Sequence, residues 1–215
     1  MNKNKITKIG KGSSYKLLLQ GEYKTPLYLS LLKTGILTNA FYNAEEDAIF
    51  FTAEQISTLS DYLDKEESLT EAKCIKMIDT LTKQIIYLER TNYAFYGVSV
   101  RDIIVINDTV FININPDTLL PVTNNNMLFL NPFLKPQFVS SDIKQLTKLP
   151  SKIDCKAGYY SLAALIIYCL LNEEIVEIEE KQRIKYIETI LKPIFYTKIY
   201  WFLKHCLNNK ILLLI

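Results

Sequence analysis

Two aspartates offer the clearest chemistry in this 215-residue chain. Asp102 and Asp117 flank a short apolar segment, and Asn115 stands two residues before the second of them. Carboxylate oxygens suit Mg²⁺, so two acid-bearing loops could hold a divalent cation next to a phosphate ester. The plainer role for Asp102 is a hydrogen bond that structures its loop. Arg101 beside it reads equally well as a surface cation. Other chemistries find less support. The single histidine, His205, lies in a helical pattern with no serine or cysteine partner at readable spacing. Cys74, Cys155, Cys169 and Cys206 form no CxxC pair, which argues against zinc.

The elements that would position these residues can be read from periodicity. Ile103–Ile106 and Val110–Ile114 flank Asn107-Asp108, a turn pair that tolerates left-handed backbone, and together they predict a hairpin. A long helix precedes it. Ser68-Leu-Thr-Glu71 reads as its capping box, and Leu69, Ala72, Ile75, Ile78, Leu81, Ile85 and Leu88 read as its inner stripe. The helix is expected to end around Arg90–Asn92. After the hairpin, residues 118–149 are rich in proline and asparagine and read as irregular backbone. Asp154 reads as the N-cap of a buried helix over Ala157–Leu171, a stretch without a charge. Glu173–Leu191 and Thr197–Leu207 read as amphipathic helices, the former with Ile175, Ile178, Ile184, Ile187 and Leu191 inward. Towards the N-terminus, residues 1–12 carry four lysines and read as a solvated tail. Tyr15–Leu19 and Leu27–Leu32 read as strands, and Ile36–Tyr42 with Ala48–Phe51 as a hairpin.

This order of long helix, loop, hairpin and second loop resembles the centre of the eukaryotic-type protein kinase fold. Phe95-Tyr96-Gly97-Val98-Ser99-Val100-Arg101-Asp102 stands where kinases have His-Arg-Asp-Leu-Lys-Pro-Glu-Asn. On that alignment the catalytic base falls on Gly97, the loop lysine on Ser99 and the metal-binding asparagine on Asp102. Asn115-Pro-Asp117 stands where kinases have Asp-Phe-Gly, so a neutral amide replaces the main metal carboxylate. Gly10, Gly12 and Tyr15 fall on the three glycines of the phosphate loop. Leu29 or Ser30 falls on the lysine clamp, with no room after Leu32 for the helix whose glutamate would pair with it. Asp142 matches the acid that closes the activation segment, with Asn131-Pro132-Phe133 as the alternative match. Gly158 matches the aspartate that braces the catalytic loop. Residues 52–68 resemble the hinge and the first large-lobe helix. The resemblance extends to diverged kinase homologues of large DNA viruses.

The resemblance implies an α+β, protein kinase-like two-lobed fold, with a reduced antiparallel β small lobe over 1–54 and a mainly helical large lobe over 55–215. It implies a catalytically inactive kinase homologue, a pseudokinase, that binds no cofactor or metal. Such a module would bind another protein, for example a related active kinase. The alternatives are an atypical phosphotransferase using Asp102 and Asp117, and a structural component of a larger assembly. Composition fits a globular domain, with 49% hydrophobic and 22% charged residues. A net charge of +2 demands no nucleic acid. No uncharged run reaches the ~20 residues of a membrane span. Buried thiols at Cys74 and Cys169 fit a reducing cytoplasmic compartment. The apolar run Ile211–Ile215 is expected to dock in the core or to serve a partner.

Overall fold

The computed structural model describes residues 5–176 and 180–208. Its architecture is mixed α+β with antiparallel sheets. The chain opens with β1 (Lys5–Ile9), β2 (Ser14–Leu18), α1 (Lys24–Lys33), β3 (Thr38–Asn43) and β4 (Ala48–Thr52). These four strands form one sheet in the order β1-β2-β4-β3. Next come β5 (Ile56–Thr58), α2 (Leu59–Glu66), α3 (Glu71–Arg90), β6 (Tyr93–Phe95) and β7 (Gly97–Val98). A 3₁₀ turn at Val100–Asp102 leads into β8 (Ile103–Ile106) and β9 (Val110–Asn113), and a second at Pro116–Thr118 follows. The remainder comprises β10 (Leu119–Thr123), β11 (Asn126–Phe129), β12 (Phe138–Val139), α4 (Ser141–Lys144), β13 (Ser151–Asp154), α5 (Ala157–Leu171), α6 (Glu180–Leu191) and α7 (Lys198–Leu207).

Helix α5 is the centre of the packing. Twelve of its fifteen residues are buried, as a charge-free helix must be in water. It packs on α3, α7, β7 and β12. Burial of each large apolar side chain contributes roughly 1.5–3 kcal/mol. One continuous core runs from Tyr15 in β2 through Leu31, Met77 and Ile166 to Leu207 in α7. A smaller core of Tyr96, Met127, Phe129 and Ile143 lies under the sheet β13-β11-β10-β6. Among the described residues no helix is long and apolar enough to cross a membrane.

The central hairpin forms as the sequence predicts. Ile106 pairs with Val110, and Asn107 and Asp108 take φ of 51° and 57°. The span Ala157–Leu171 is helical as expected, and the sheet hairpin β3–β4 forms. Other expectations are corrected. Residues 5–9 are a strand paired with β2, not a tail. Leu27–Leu32 belongs to helix α1, whose buried Leu27, Tyr28 and Leu31 share one face. Pro26 lies in its first turn, where a missing N–H costs nothing. The cap of α3 is Thr70, whose hydroxyl accepts from Lys73 N–H, so the Ser68–Glu71 box does not form. Ile75 is exposed, and Cys74, Met77, Thr80, Leu81, Gln84, Ile85 and Leu88 form the buried face.

Residues 118–149 are more ordered than expected. Asn124 and Asn125, both at positive φ, turn β10 back onto β11, and β13 joins the same sheet. Asp154 lies in β13, where its carboxylate accepts from Lys156 N–H; Lys156 is the N-cap of α5. Residues 172–176 are not helical, and Ile184 on α6 is exposed while Ile187 and Leu191 are buried. Ile178 and the run Ile211–Ile215 lie outside the described residues.

Candidate functional site

The two ends of the hairpin bring Asp102 and Asn115 together. Residue 102 closes the 3₁₀ turn before β8, and residue 115 follows β9. Ile114 N–H donates to the Asp102 carbonyl at 3.0 Å, which ties the two loops at the backbone. The side chains then meet: Asn115 Nδ2 donates to Asp102 Oδ2 at 2.8 Å. The other end of the amide is also engaged, because Asn115 Oδ1 accepts from Asp117 N–H at 3.0 Å. Asp102 is buried, and burial raises its pKa. The Asn115 amide pulls it back down, and the charge of Asp117 pushes it up again.

This arrangement does not fit a magnesium site. A hard cation needs oxygen ligands turned towards it. Asn115 turns its N–H to the carboxylate and spends its oxygen on the backbone. Asp117 is exposed on the far side of Asn115, beside Gly21. Among the described residues no three of His, Cys, Asp and Glu converge as metal ligands.

Gly97 is sealed. It pairs with Val139 across the two-stranded sheet of β7 and β12. A Cβ at residue 97 would come within 2.5 Å of Val139 Cγ1, 2.8 Å of Pro136 Cγ and 3.0 Å of the Phe138 carbonyl. The space around residue 97 is filled by residues 136–139. Ser99 accepts from Gln137 N–H at 3.0 Å and fixes the same segment. Gly158 packs directly on backbone: a Cβ there would lie 2.6 Å from the Phe95 carbonyl. Asp142 is exposed.

A cleft of about 690 Å³ lies between the face of β1 and β2 and the segment from β5 to β9. Lys8 and Tyr15 line one wall; Ile56, Asp61, Arg101, Ile104 and Ile114 line the other. Tyr15 is buried and stacks on Phe51 with ring centroids 5.9 Å apart. Gly10 turns the β1–β2 hairpin with φ of 64°, and Gly12 is unconstrained, since a Cβ there meets nothing within 4 Å. Ser30 is buried in α1 with its hydroxyl donating to the Leu27 carbonyl, and Leu29 is half-exposed on the same helix, so neither stands on a strand. Helix α1 contains no acidic residue. His205 is exposed.

Sequence reasoning missed Thr80 and Gln84, polar residues inside the buried face of α3 that hold β9. A polar residue breaking an apolar stripe was their signal. It also missed residues 136–139 as the plug over Gly97, a contact between segments forty residues apart. No family model matches the chain, and no curated protein matches it.

Proposed function

We propose that this chain is a catalytically inactive protein kinase homologue that acts as a protein-binding or regulatory module. The observation that carries the reading is the plug of Pro136, Phe138 and Val139 over Gly97. Phosphoryl transfer needs a residue near the acceptor hydroxyl, a lysine clamp and positioned metal. Loss of a general base alone lowers rate by ~10²–10⁴. Here the base position has neither a side chain nor space for one.

Kinship with kinases is supported by several placements. The hairpin is flanked by two loops whose residues 102 and 115 touch. Gly158, at the start of the central helix, packs on the backbone of Phe95. An open cleft lies beside the hairpin, with Ile104 and Ile114 in its wall. In kinases a lysine-bearing strand precedes the helix with its paired glutamate. Here α1 follows β2 directly and carries no acid. The strand is the missing element, and the two-lobed design is reduced by that amount.

Thermal unfolding with ATP, with and without Mg²⁺, tests the reading. A ligand at a hundred times its Kd adds about 2.7 kcal/mol, which moves the Tm of a chain this size by roughly 5–10 °C. The expected result is no shift with Mg²⁺ and no transfer of labelled phosphate to protein acceptors. A shift that needs Mg²⁺ and disappears in Asp102→Ala, or transfer above a heat-killed control, would overturn it. Size exclusion of native lysate separates this module from a structural component of a larger assembly, because a stable stoichiometric complex would favour the structural component.

A further inference from the structure

We propose that the surface made by Phe195, Tyr196, Trp201, Lys192 and Lys198 docks the protein onto an anionic lipid bilayer. The inference does not depend on kinship with kinases. Helix α7 is amphipathic: Ile199, Tyr200, Leu203, Cys206 and Leu207 are buried, and Lys198, Trp201 and His205 face outward. The turn before it adds two more rings. Phe195, Tyr196 and Trp201 are 46%, 95% and 55% exposed. Large aromatic side chains left in water at this density mark an interaction surface.

The exposed rings are linked through Tyr200, which is itself buried. Tyr196 touches Phe195 with centroids 4.9 Å apart, Phe195 touches Tyr200 at 4.9 Å, and Tyr200 touches Trp201 at 5.1 Å. Lys204 lies over the rings of Tyr200 and Trp201 and pairs with Glu188. Lys192 and Lys198 are exposed on either side of Phe195 and Tyr196. No acidic residue occurs from residue 192 to residue 208, in a chain whose charges otherwise nearly balance, 25 basic to 23 acidic. Within this segment the rings are accompanied only by basic side chains, and Glu188 of α6 is paired with Lys204. Interfacial proteins present this combination to anionic headgroups.

Two observations favour a bilayer over a nucleic acid strand. Successive bases stack on ring faces that are free to receive them. Here the exposed rings of Phe195 and Tyr196 stand at 88° to each other, and Tyr200, between Phe195 and Trp201, is buried, so the segment offers no set of parallel platforms. A headgroup layer accepts Tyr and Trp in any such orientation. In sequence, the chain beyond α7 also continues to Ile211-Leu-Leu-Leu-Ile215, whose hydrocarbon side chains suit lipid.

Trp201 is the only tryptophan, so emission excited at the red edge, where tyrosine does not absorb, reports this surface alone. The full chain is titrated with vesicles of phosphatidylcholine containing roughly a third phosphatidylserine. The expected result is a blue shift with higher intensity, weakened by salt, and at least about tenfold weaker partitioning onto pure phosphatidylcholine. Lys192→Ala combined with Lys198→Ala should lower partitioning by about tenfold or more. Tyr196→Ala, which keeps the reporter, should lower it several-fold; both variants change exposed side chains and are checked by circular dichroism. The proposal is overturned if emission does not respond to the anionic vesicles, or if the response is equal on neutral ones and indifferent to both variants. Tighter binding of an oligo-dT strand than of the vesicles, read by quenching without a blue shift, would assign the surface to nucleic acid instead.

Discussion

Gln84 holds the backbone of Asn113 from both sides. Its Nε2 donates to the Asn113 carbonyl at 2.8 Å, and its Oε1 accepts from Asn113 N–H at 3.0 Å. One turn earlier, Thr80 Oγ1 accepts from Phe111 N–H at 3.1 Å. Strand β9 is the outer strand of β5-β8-β9, so α3 stands where another strand would close that edge. Buried backbone polar groups need such partners. The clamp fixes the strand that ends at Asn113, two residues before Asn115.

Gln84→Leu should therefore cost about 2–4 kcal/mol, because it leaves two buried backbone groups without partners. Urea unfolding measures it. Thr80→Val, which leaves only one group unpaired, should cost about half as much. A loss below about 0.5 kcal/mol for Gln84→Leu would mean that water replaces the clamp.

Placing an acid at residue 97 should fail. Gly97→Ala is expected to cost about 1–3 kcal/mol through overpacking against Val139 and the Phe138 carbonyl. Gly97→Asp should cost more, and it should gain no phosphotransfer. A stable Gly97→Asp protein that transfers phosphate would show that residues 136–139 lift away.

Gly158→Ala sets helix propensity against a backbone clash. Alanine in place of glycine gains about 1 kcal/mol of propensity. The Cβ, however, would stand 2.6 Å from the Phe95 carbonyl. The clash should win by about 2 kcal/mol or more, since neither α5 nor β6 can shift alone. A stabilised Gly158→Ala protein would show that this approach is looser than described.

The raised pKa of Asp102 gives a pH-dependent prediction. A carboxyl whose folded pKa lies above its unfolded value, about 3.9, favours folding in its protonated form. That contribution is complete below the unfolded value and is lost as pH rises through the folded one. At neutral pH the ionised, buried carboxylate is a burden. Asp102→Asn keeps an acceptor for Asn115 Nδ2 and should be neutral to about 1 kcal/mol stabilising at pH 7. The gap from the parent chain should shrink towards pH 4. Unfolding at both pH values measures it, and a variant that is weaker at pH 7 than at pH 4, relative to the parent, would contradict the sign.

What the sequence conveyed was local. Asn107-Asp108 announced its hairpin because few residues accept two positive φ angles in a row. The charge-free stretch Ala157–Leu171 announced a buried helix because fifteen residues without a charge must lie mostly out of water. Leu27–Leu32 misled, since six mostly apolar residues suit a strand as well as a helix. The reversal at Asn124-Asn125 had the same chemistry as the central turn, but proline-rich surroundings obscured it. Opposition of Asp102 and Asn115 could be inferred from their places at the hairpin ends. The direction of the amide, and the plug over Gly97, depend on partners distant along the chain, which no short pattern encodes.

Gly21, between β2 and α1, sits so close to the second loop that a Cβ there would lie 2.7 Å from Asp117 Oδ1 and 2.9 Å from Pro116 Cγ. This junction is closely packed, and the sheet β1-β2-β4-β3 shares its apolar interior with α5 and α7. Amides of β2 and β4 should therefore exchange with deuterium as slowly as those of α5, and the sheet should melt in step with the helices as one cooperative body.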